Sequence, residues 1–215
     1  MLDVSKSRNK PEERPWYKPA LELVKQLIKH FNIKNALDVG CGLGEFAFKL
    51  KKLGLNVSCV DGSLNYINRL KKLGFKAKQA DFNKNLPFND KKFDFISCLE
   101  VIEHIENAEN LIKEIKRVLK DNGYLLISTP NYAFVGVRLK ILFGFSIPDE
   151  GYHFRFFTHK SLIKLLKKEG FKIIKDNSIS FLPFYHLTRK KPKGRKVKFW
   201  RNFLASKTII LAKKI

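Results

Sequence analysis

The stretch Ala36–Phe46 reads ALDVGCGLGEF. Ala36, Leu37 and Val39 flank a lone acid, Asp38, and glycines then occupy three alternate positions, Gly40, Gly42 and Gly44. An apolar run that stops at a glycine-rich turn and passes at once into a helical pattern predicts strand, tight loop and helix. Glycine serves such a loop because the backbone must reach positive φ and approach a ligand with no Cβ in between. The N–H groups exposed at the start of the following helix suit a polar or anionic ligand.

Spacing narrows the ligand. A dinucleotide fingerprint, G-x-G-x-x-G, begun at Gly40 would place its third glycine at position 45, which is Glu45. The pattern is instead G-x-G-x-G with an acid two residues before the first glycine. In that form the stretch resembles motif I of the class I S-adenosylmethionine-dependent methyltransferases.

The elements around this stretch alternate. Upstream, residues 1–18 carry charges throughout and include Pro11 and Pro15, with Pro19 just beyond, so a flexible basic arm is expected there. Trp16 and Tyr17, at its end, are positioned to fold back on the domain. Leu21, Val24, Leu27, Ile28 and Phe31 recur at helical spacing. Downstream, short apolar runs at Val57–Asp61, Phe75–Ala80, Phe93–Leu99 and Tyr124–Thr129 are separated by amphipathic segments that close on Gly54, Gly74 and Gly123. Strands alternating with helices call for a doubly wound, mostly parallel sheet with right-handed crossovers. Thr158 is expected to cap a helix over 158–168, followed by strands at Phe171–Ile179 and Ser206–Lys213. That final β-β pair matches the antiparallel seventh strand of the methyltransferase fold, so a seven-stranded sheet with an antiparallel last strand is expected. Residues 19–215 read as one domain carrying a lid insert over 131–157 and a basic loop over 181–205.

Composition fits this reading. Of 215 residues, 44% are hydrophobic and 13% aromatic, which excludes a disordered chain. No run approaches the roughly 18 consecutive apolar residues of a membrane span, and the charged start lacks a signal-peptide segment, so a cytoplasmic location is expected. Cys41, Cys59 and Cys98 form no C-x-x-C pair and fall in or beside strands, which predicts buried thiols. The formal net charge of +23 favours an anionic partner or a lysine-decorated surface. Its distribution is uneven: no acid follows Asp176, while eleven Lys or Arg do, eight of them between Arg189 and Arg201. Phe199 and Trp200 lie in that run, and aromatics among cations suit RNA bases or an anionic membrane surface.

Ligands of such sheets bind at the carboxyl ends of the strands. Further matches extend the resemblance to roughly 36–215. Asp61-Gly62 stands about twenty residues after the glycines, where a carboxylate can accept ribose hydroxyls, although a NAD-binding protein shares that feature. Asp81-Phe82 resembles the pair that holds adenine. Leu99 and Glu100, opening the segment LEVIEHIEN, resemble the post-strand residues beside the methionyl end, and Ser128–Asn131 closes strand five in a family-like way. The resemblance implies S-adenosylmethionine as cofactor, held by Asp38, Gly40, Gly42, Gly44, Asp61, Gly62, Asp81, Phe82 and Leu99, and transfer of its methyl group to a nucleophile. Because the donor is already activated, the protein has to align the reactants and, for a hydroxyl acceptor, take up a proton. His104 and His153 are the candidate bases. Glu100, Glu103 and His104 form an E-x-x-E-H triplet which, with a later histidine, resembles the divalent-metal site of small-RNA 2′-O-methyltransferases. Quinone-pathway O-methyltransferases carry a related segment. By that resemblance Glu100, Glu103, His104 and His153 are candidate ligands of one metal ion, which would acidify an acceptor hydroxyl. The same residues can instead line an acceptor pocket without metal. The aromatic lid favours a small or lipid-linked acceptor, whereas the basic loop and the triplet favour RNA. A non-catalytic cofactor- or RNA-binding module is a third reading.

Overall fold

The structure, a computed structural model, describes residue 14 and residues 16–146, 153–180 and 195–215. The sheet is built outward from β1 (Asn35–Val39), which is flanked in parallel by β2 (Asn56–Asp61) and β4 (Phe93–Leu99). The chain runs from β1 to β2 and β3 (Lys76–Gln79), then crosses back to β4 and β5 (Leu119–Pro130). The full order is β3-β2-β1-β4-β5-β9-β7-β8, with β6 (Phe171–Asp176) also paired to β9 (Lys207–Lys214). Strand order therefore reverses between β1 and β4, and a crevice opens at their carboxyl ends.

The expected mostly parallel sheet with an antiparallel last strand is present: β9 lies between β5 and β6 and runs antiparallel to both. Among the described residues the sheet has nine strands, where seven are expected. The expected sixth strand is broken at Asn177-Ser178 into β6 and β7 (Ile179–Ser180), and β8 (Arg195–Lys196) adds an edge. β5 begins at Leu119, immediately after α4 (Ala108–Val118). The residues just ahead of Tyr124, including Asn122 at φ 63°, form a bulge where the β4–β5 register shifts.

Side chains alternate across the strands, which divides the core into two layers. Leu37 and Val39 of β1 face α4 and α6 (His159–Lys168); Ala36 packs with α1 (Tyr17–His30), α2 (Glu45–Lys52) and α3 (Leu64–Lys72). Cys41, Cys59 and Cys98 are buried free thiols. Thr158 caps α6 in a capping box with Ser161.

Helix α1 starts earlier than expected, at Tyr17, and takes Pro19 into its first turn. Proline is tolerated there because a first-turn N–H has no intrahelical partner to lose. Most of the expected basic arm (residues 1–13 and 15), lid residues 147–152 and basic-loop residues 181–194 lie outside the described residues. Two short helices complete the chain, α5 (Val135–Leu142) in the lid and α7 (Arg201–Leu204) ahead of β9. Among the described residues no helix is long and apolar enough to cross a membrane.

Candidate active site

The glycine turn between β1 and α2 holds φ values of +68° at Gly40, +51° at Gly42 and +83° at Gly44, the last forming the N-cap of α2. A Cβ on Gly40 would stand 2.2 Å from Val101 Cγ2, so this glycine lets the turn pack under the end of β4. At Gly42 a Cβ would meet nothing within 4 Å. The chain there follows a backbone that L residues avoid while facing open space, as a cradle for a ligand requires.

Two acids face this turn. Asp38 is 3% exposed, and its Oδ1 accepts a 2.6 Å hydrogen bond from Ser97 Oγ. Burial pushes its pKa up to about 7, with the neighbouring Asp61 adding to the rise and the Ser97 hydroxyl opposing it. Asp61, at the end of β2, accepts from the Gly42 N–H at 2.8 Å and from the Ser63 N–H at 2.9 Å, one bond on each oxygen. Burial raises its pKa while these amides oppose the rise. Its carboxylate is thus fixed in direction, with lone pairs left over for a ligand. The Gly62 carbonyl accepts from the Gln79 side chain at 3.0 Å. Asp81 is exposed and accepts from the Asn83 N–H at 2.9 Å. The Phe82 ring is buried in the core with Leu86 and Phe88, which leaves its backbone rather than its ring for a base. Leu99 is half-buried at the end of β4. These residues line one rim of the crevice and are compatible with the nucleoside and amino-acid ends of S-adenosylmethionine: an open glycine cradle, oriented carboxylates for hydroxyls and an ammonium, and a buried acid whose charge waits for a cation.

The opposite rim starts at Glu100, which takes φ +60°. Its Oε1 accepts from Ser128 Oγ at 2.7 Å, and its Oε2 pairs with the Lys207 ammonium. Lys207, on β9, also lies over the Trp16 ring, 4.0 Å from its centroid. Trp16 thereby folds back on the domain, and Tyr17 packs against Phe46 with 5.4 Å between ring centroids. A 3-10 turn, Ile102–His104, then presents Glu103 and His104. Glu103 is 1% exposed and accepts from Thr129 Oγ1 at 3.0 Å. Burial first, and then the charge of Glu100, push its pKa up to about 8 against the opposing pull of Lys207 and Thr129.

His153 reaches the same place from the far end of the lid. The Phe154 and Arg155 N–H groups donate to the Glu103 carbonyl at 2.9 and 3.1 Å, and the Arg155 guanidinium pairs with Glu109 at 3.0 Å. Tyr132 Oη lies 2.5 Å from His153 Nδ1, a contact that orients the imidazole. The His104 and His153 rings meet edge to face at 4.6 Å, and Glu103, His104 and His153 each bring a ligand atom within 4.8 Å of the other two. Of the four expected metal-ligating residues, three are brought together and Glu100 is engaged elsewhere, by Ser128 and Lys207.

Among the described residues the remaining histidines stand apart from this trio. His30 is exposed, His186 lies outside the described residues, and His159 pairs with Asp176 at 2.7 Å. Sequence reasoning passed over Tyr132, Ser97 and Lys207. Lys207 could have been noticed as a cation opening an apolar strand, but Tyr132 carries no local signal. It also missed Asn131, which is 1% exposed and donates to the carbonyls of Arg201, Asn202 and Ala205 while accepting from the Ala133 and His159 N–H groups. That side chain ties the roots of the lid, α6 and α7 together.

A family model described as a methyltransferase domain matches residues 12–176. An uncharacterized protein of Methanocaldococcus jannaschii is 36% identical over 169 residues, covering 75% of this chain and 67% of that protein. A ubiquinone biosynthesis O-methyltransferase of Rickettsia felis is 34% identical over 116 residues, covering 51% of this chain and 48% of that protein. The chain thus spans between about half and two thirds of these relatives' own lengths. In fold it is similar to the crystal structure of an S-adenosylmethionine-dependent methyltransferase from Thermotoga maritima, with a TM-score of 0.69 at 24% identity over 93% of this chain and 89% of that one.

Proposed function

We propose an acceptor on the premise that the chain belongs to the class I S-adenosylmethionine-dependent methyltransferases. The acceptor is a hydroxyl oxygen on a small ring-bearing or lipid-linked metabolite. The observation that carries this reading is the meeting of Glu103, His104 and His153 at the mouth of β4, across the crevice from the glycine cradle. Bound in that cradle, S-adenosylmethionine supplies an activated methyl group. Asp61 would accept the ribose hydroxyls, Asp81 and the Phe82 backbone would meet the adenine, and Asp38 would face the ammonium. His104, the exposed member of the trio, or His153, steadied by Tyr132, takes the proton from the acceptor hydroxyl. The aromatic side chains of Tyr132 and Phe156, with ring centroids 4.7 Å apart, provide an apolar wall for a ring. Relatives named for ubiquinone biosynthesis O-methylation support an oxygen acceptor on a small molecule.

The same trio supports a second reading, in which a divalent ion is held by Glu103, His104 and His153. A carboxylate with two imidazoles is a donor set suited to such an ion, and Tyr132 would fix the orientation of His153. The ion would lower the pKa of the acceptor hydroxyl.

Transfer of labelled methyl from S-adenosylmethionine into small-molecule, lipid and RNA extracts, with and without chelator, tests both. Label in the small-molecule or lipid fraction that is unaffected by chelator is the expected result for histidine base catalysis. Loss of that label with chelator favours the metal-bound form. Label confined to RNA would overturn the acceptor assignment, and failure of the chain to bind S-adenosylmethionine in calorimetry would overturn the cofactor roles.

A further inference from the structure

Helix α5 has an odd surface. Its sequence, VGVRLKIL, is apolar except for Arg138 and Lys140, yet none of its residues is buried. Leu142 and Phe143 are 76% and 73% exposed, and Leu139 and Ile141 are about half exposed. So short a helix draws its stability from tertiary packing rather than from propensity, and here the fold supplies little. Exposed apolar patches of this kind mark interaction surfaces.

A second exposed group adjoins it. Phe199 and Trp200, just ahead of α7, are 78% and 77% exposed. The two segments are joined: the Arg138 guanidinium lies 5.8 Å from the ring centroid of Phe203 in α7, and Asn131 at the root of the lid donates to three carbonyls in and after α7. Within the two segments every charged side chain is a cation, and one of them, Arg201, pairs with Asp176 at 3.3 Å. No acid occurs between Asn131 and Ser146 or anywhere after Asp176, whereas Arg138, Lys140, Lys196 and Lys198 accompany the apolar side chains.

We propose that α5 and the Phe199–Leu204 segment form one docking surface for an anionic lipid membrane. The apolar side chains enter the boundary between headgroups and acyl chains, Trp200 sits at headgroup level, and the cations meet lipid phosphates. Long lysine and arginine stems let the aliphatic side chains descend while the charges stay in water. RNA is a poorer fit, because Leu139, Ile141 and Leu142 offer no stacking surface and no hydrogen bonds to bases. A second copy is also a poorer fit, since it would bring the cations of two such faces together in a chain of net charge +23. Tyr132, which touches His153, precedes α5 by only three residues, so the surface borders the mouth of the site. The proposal does not depend on the identity of the acceptor.

Co-sedimentation of the full chain with vesicles tests it. The chain should sediment with vesicles containing phosphatidylglycerol and remain in the supernatant with vesicles of phosphatidylcholine alone. Salt should weaken the binding, since exposed charges are screened over about 10 Å at 0.1 M ionic strength. The double variant Leu142→Asp, Phe143→Asp should bind anionic vesicles at least about tenfold more weakly, as apolar burial is lost and two carboxylates repelled by the anionic surface are added. Unchanged S-adenosylmethionine affinity in that variant shows that it is folded. No binding to anionic vesicles, or equal binding by wild type and variant, would overturn the proposal. So would a dimer in light scattering that the variant breaks, or binding of single-stranded RNA that the variant abolishes while vesicle binding persists.

Discussion

The two rims of the crevice are built in opposite ways. On the cofactor rim the contact that holds the turn is short in sequence: the Gly42 N–H meets Asp61 nineteen residues later, and the turn itself spans five residues. On the acceptor rim the contacts that bring in β9 and α7 are long: Glu100 meets Lys207 107 residues away, and Asn131 meets Ala205 74 residues away. A turn constrained by φ and by missing Cβ atoms has few sequence solutions, so it is written as a motif. A pocket assembled from a lid, an edge strand and a 3-10 turn has many, so one rim can stay constant while the other changes its acceptor.

The sharpest way to break this comparison is within the turn. Gly40→Ala should harm the fold. Its φ of +68° costs an alanine about 1–2 kcal/mol, and the Cβ set 2.2 Å from Val101 adds an overpacking cost of about 1–3 kcal/mol. For a chain of this size the melting temperature should fall by about 10 °C in thermal denaturation followed by circular dichroism. Gly42→Ala has no such clash and should cost only about 1 kcal/mol. It should nevertheless weaken S-adenosylmethionine binding by more than about tenfold in calorimetry, because the new methyl group occupies ligand space. Equal melting losses in the two variants would erase the distinction between a packing glycine and a cradle glycine.

On the acceptor rim the expected effect is on rate alone. His104→Ala should lower single-turnover methyl transfer about 100-fold, the low end of general-base contributions, with cofactor affinity unchanged. If affinity fell as well, the two rims would not be separable units.

The same contrast explains what was legible in the sequence. Asp38, the glycines and Asp61 could be placed because strand, turn and helix periods are local. The antiparallel last strand could be placed because an apolar run in a β-β pair closes an alternating chain. The break of the sixth strand at Asn177-Ser178 could not, because it depends on pairing with β9, where the Asn177 N–H reaches the Ile209 carbonyl. The helix break expected around Pro19 does not occur, because a proline in the first turn has no intrahelical bond to lose. The grouping of Glu103, His104 and His153 was suggested by resemblance. The exclusion of Glu100 from that group followed from Ser128 and Lys207, whose pairing with it depends on how β5 and β9 lie beside the end of β4.

A milder test concerns Tyr132, a positioning residue that acts through His153. Tyr132→Phe removes the 2.5 Å contact to His153 Nδ1 and keeps the ring that packs on Phe156. Transfer should slow by about tenfold, typical of losing a group that orients a functional imidazole. The loss should fall on kcat rather than on the cofactor's Kd. Tyr132→Ala should cost more, and on KM for the acceptor as well, because the apolar wall goes with the hydroxyl. If the two variants behaved alike, the hydroxyl would be the whole contribution and the wall none.

The smallest expected effect is a pH dependence on the cofactor rim. Burial raises the Asp38 pKa from 3.8 to about 7. For folding, the sign is that of a raised acid: its contribution to stability is full below pH 3.8 and is lost as pH climbs through 7. For binding the sign is opposite, because an ammonium facing Asp38 is attracted only by the carboxylate. The ionised fraction rises from about one tenth to about nine tenths between one unit below and one unit above the pKa, so affinity for S-adenosylmethionine should increase by up to about tenfold from pH 6 to pH 8. Asp38→Asn should flatten that profile and leave the affinity near the low-pH value. A profile that stays steep in Asp38→Asn would transfer the titration to Asp61, whose pKa burial also raises, and would leave Asp38 as a buried acid serving only Ser97.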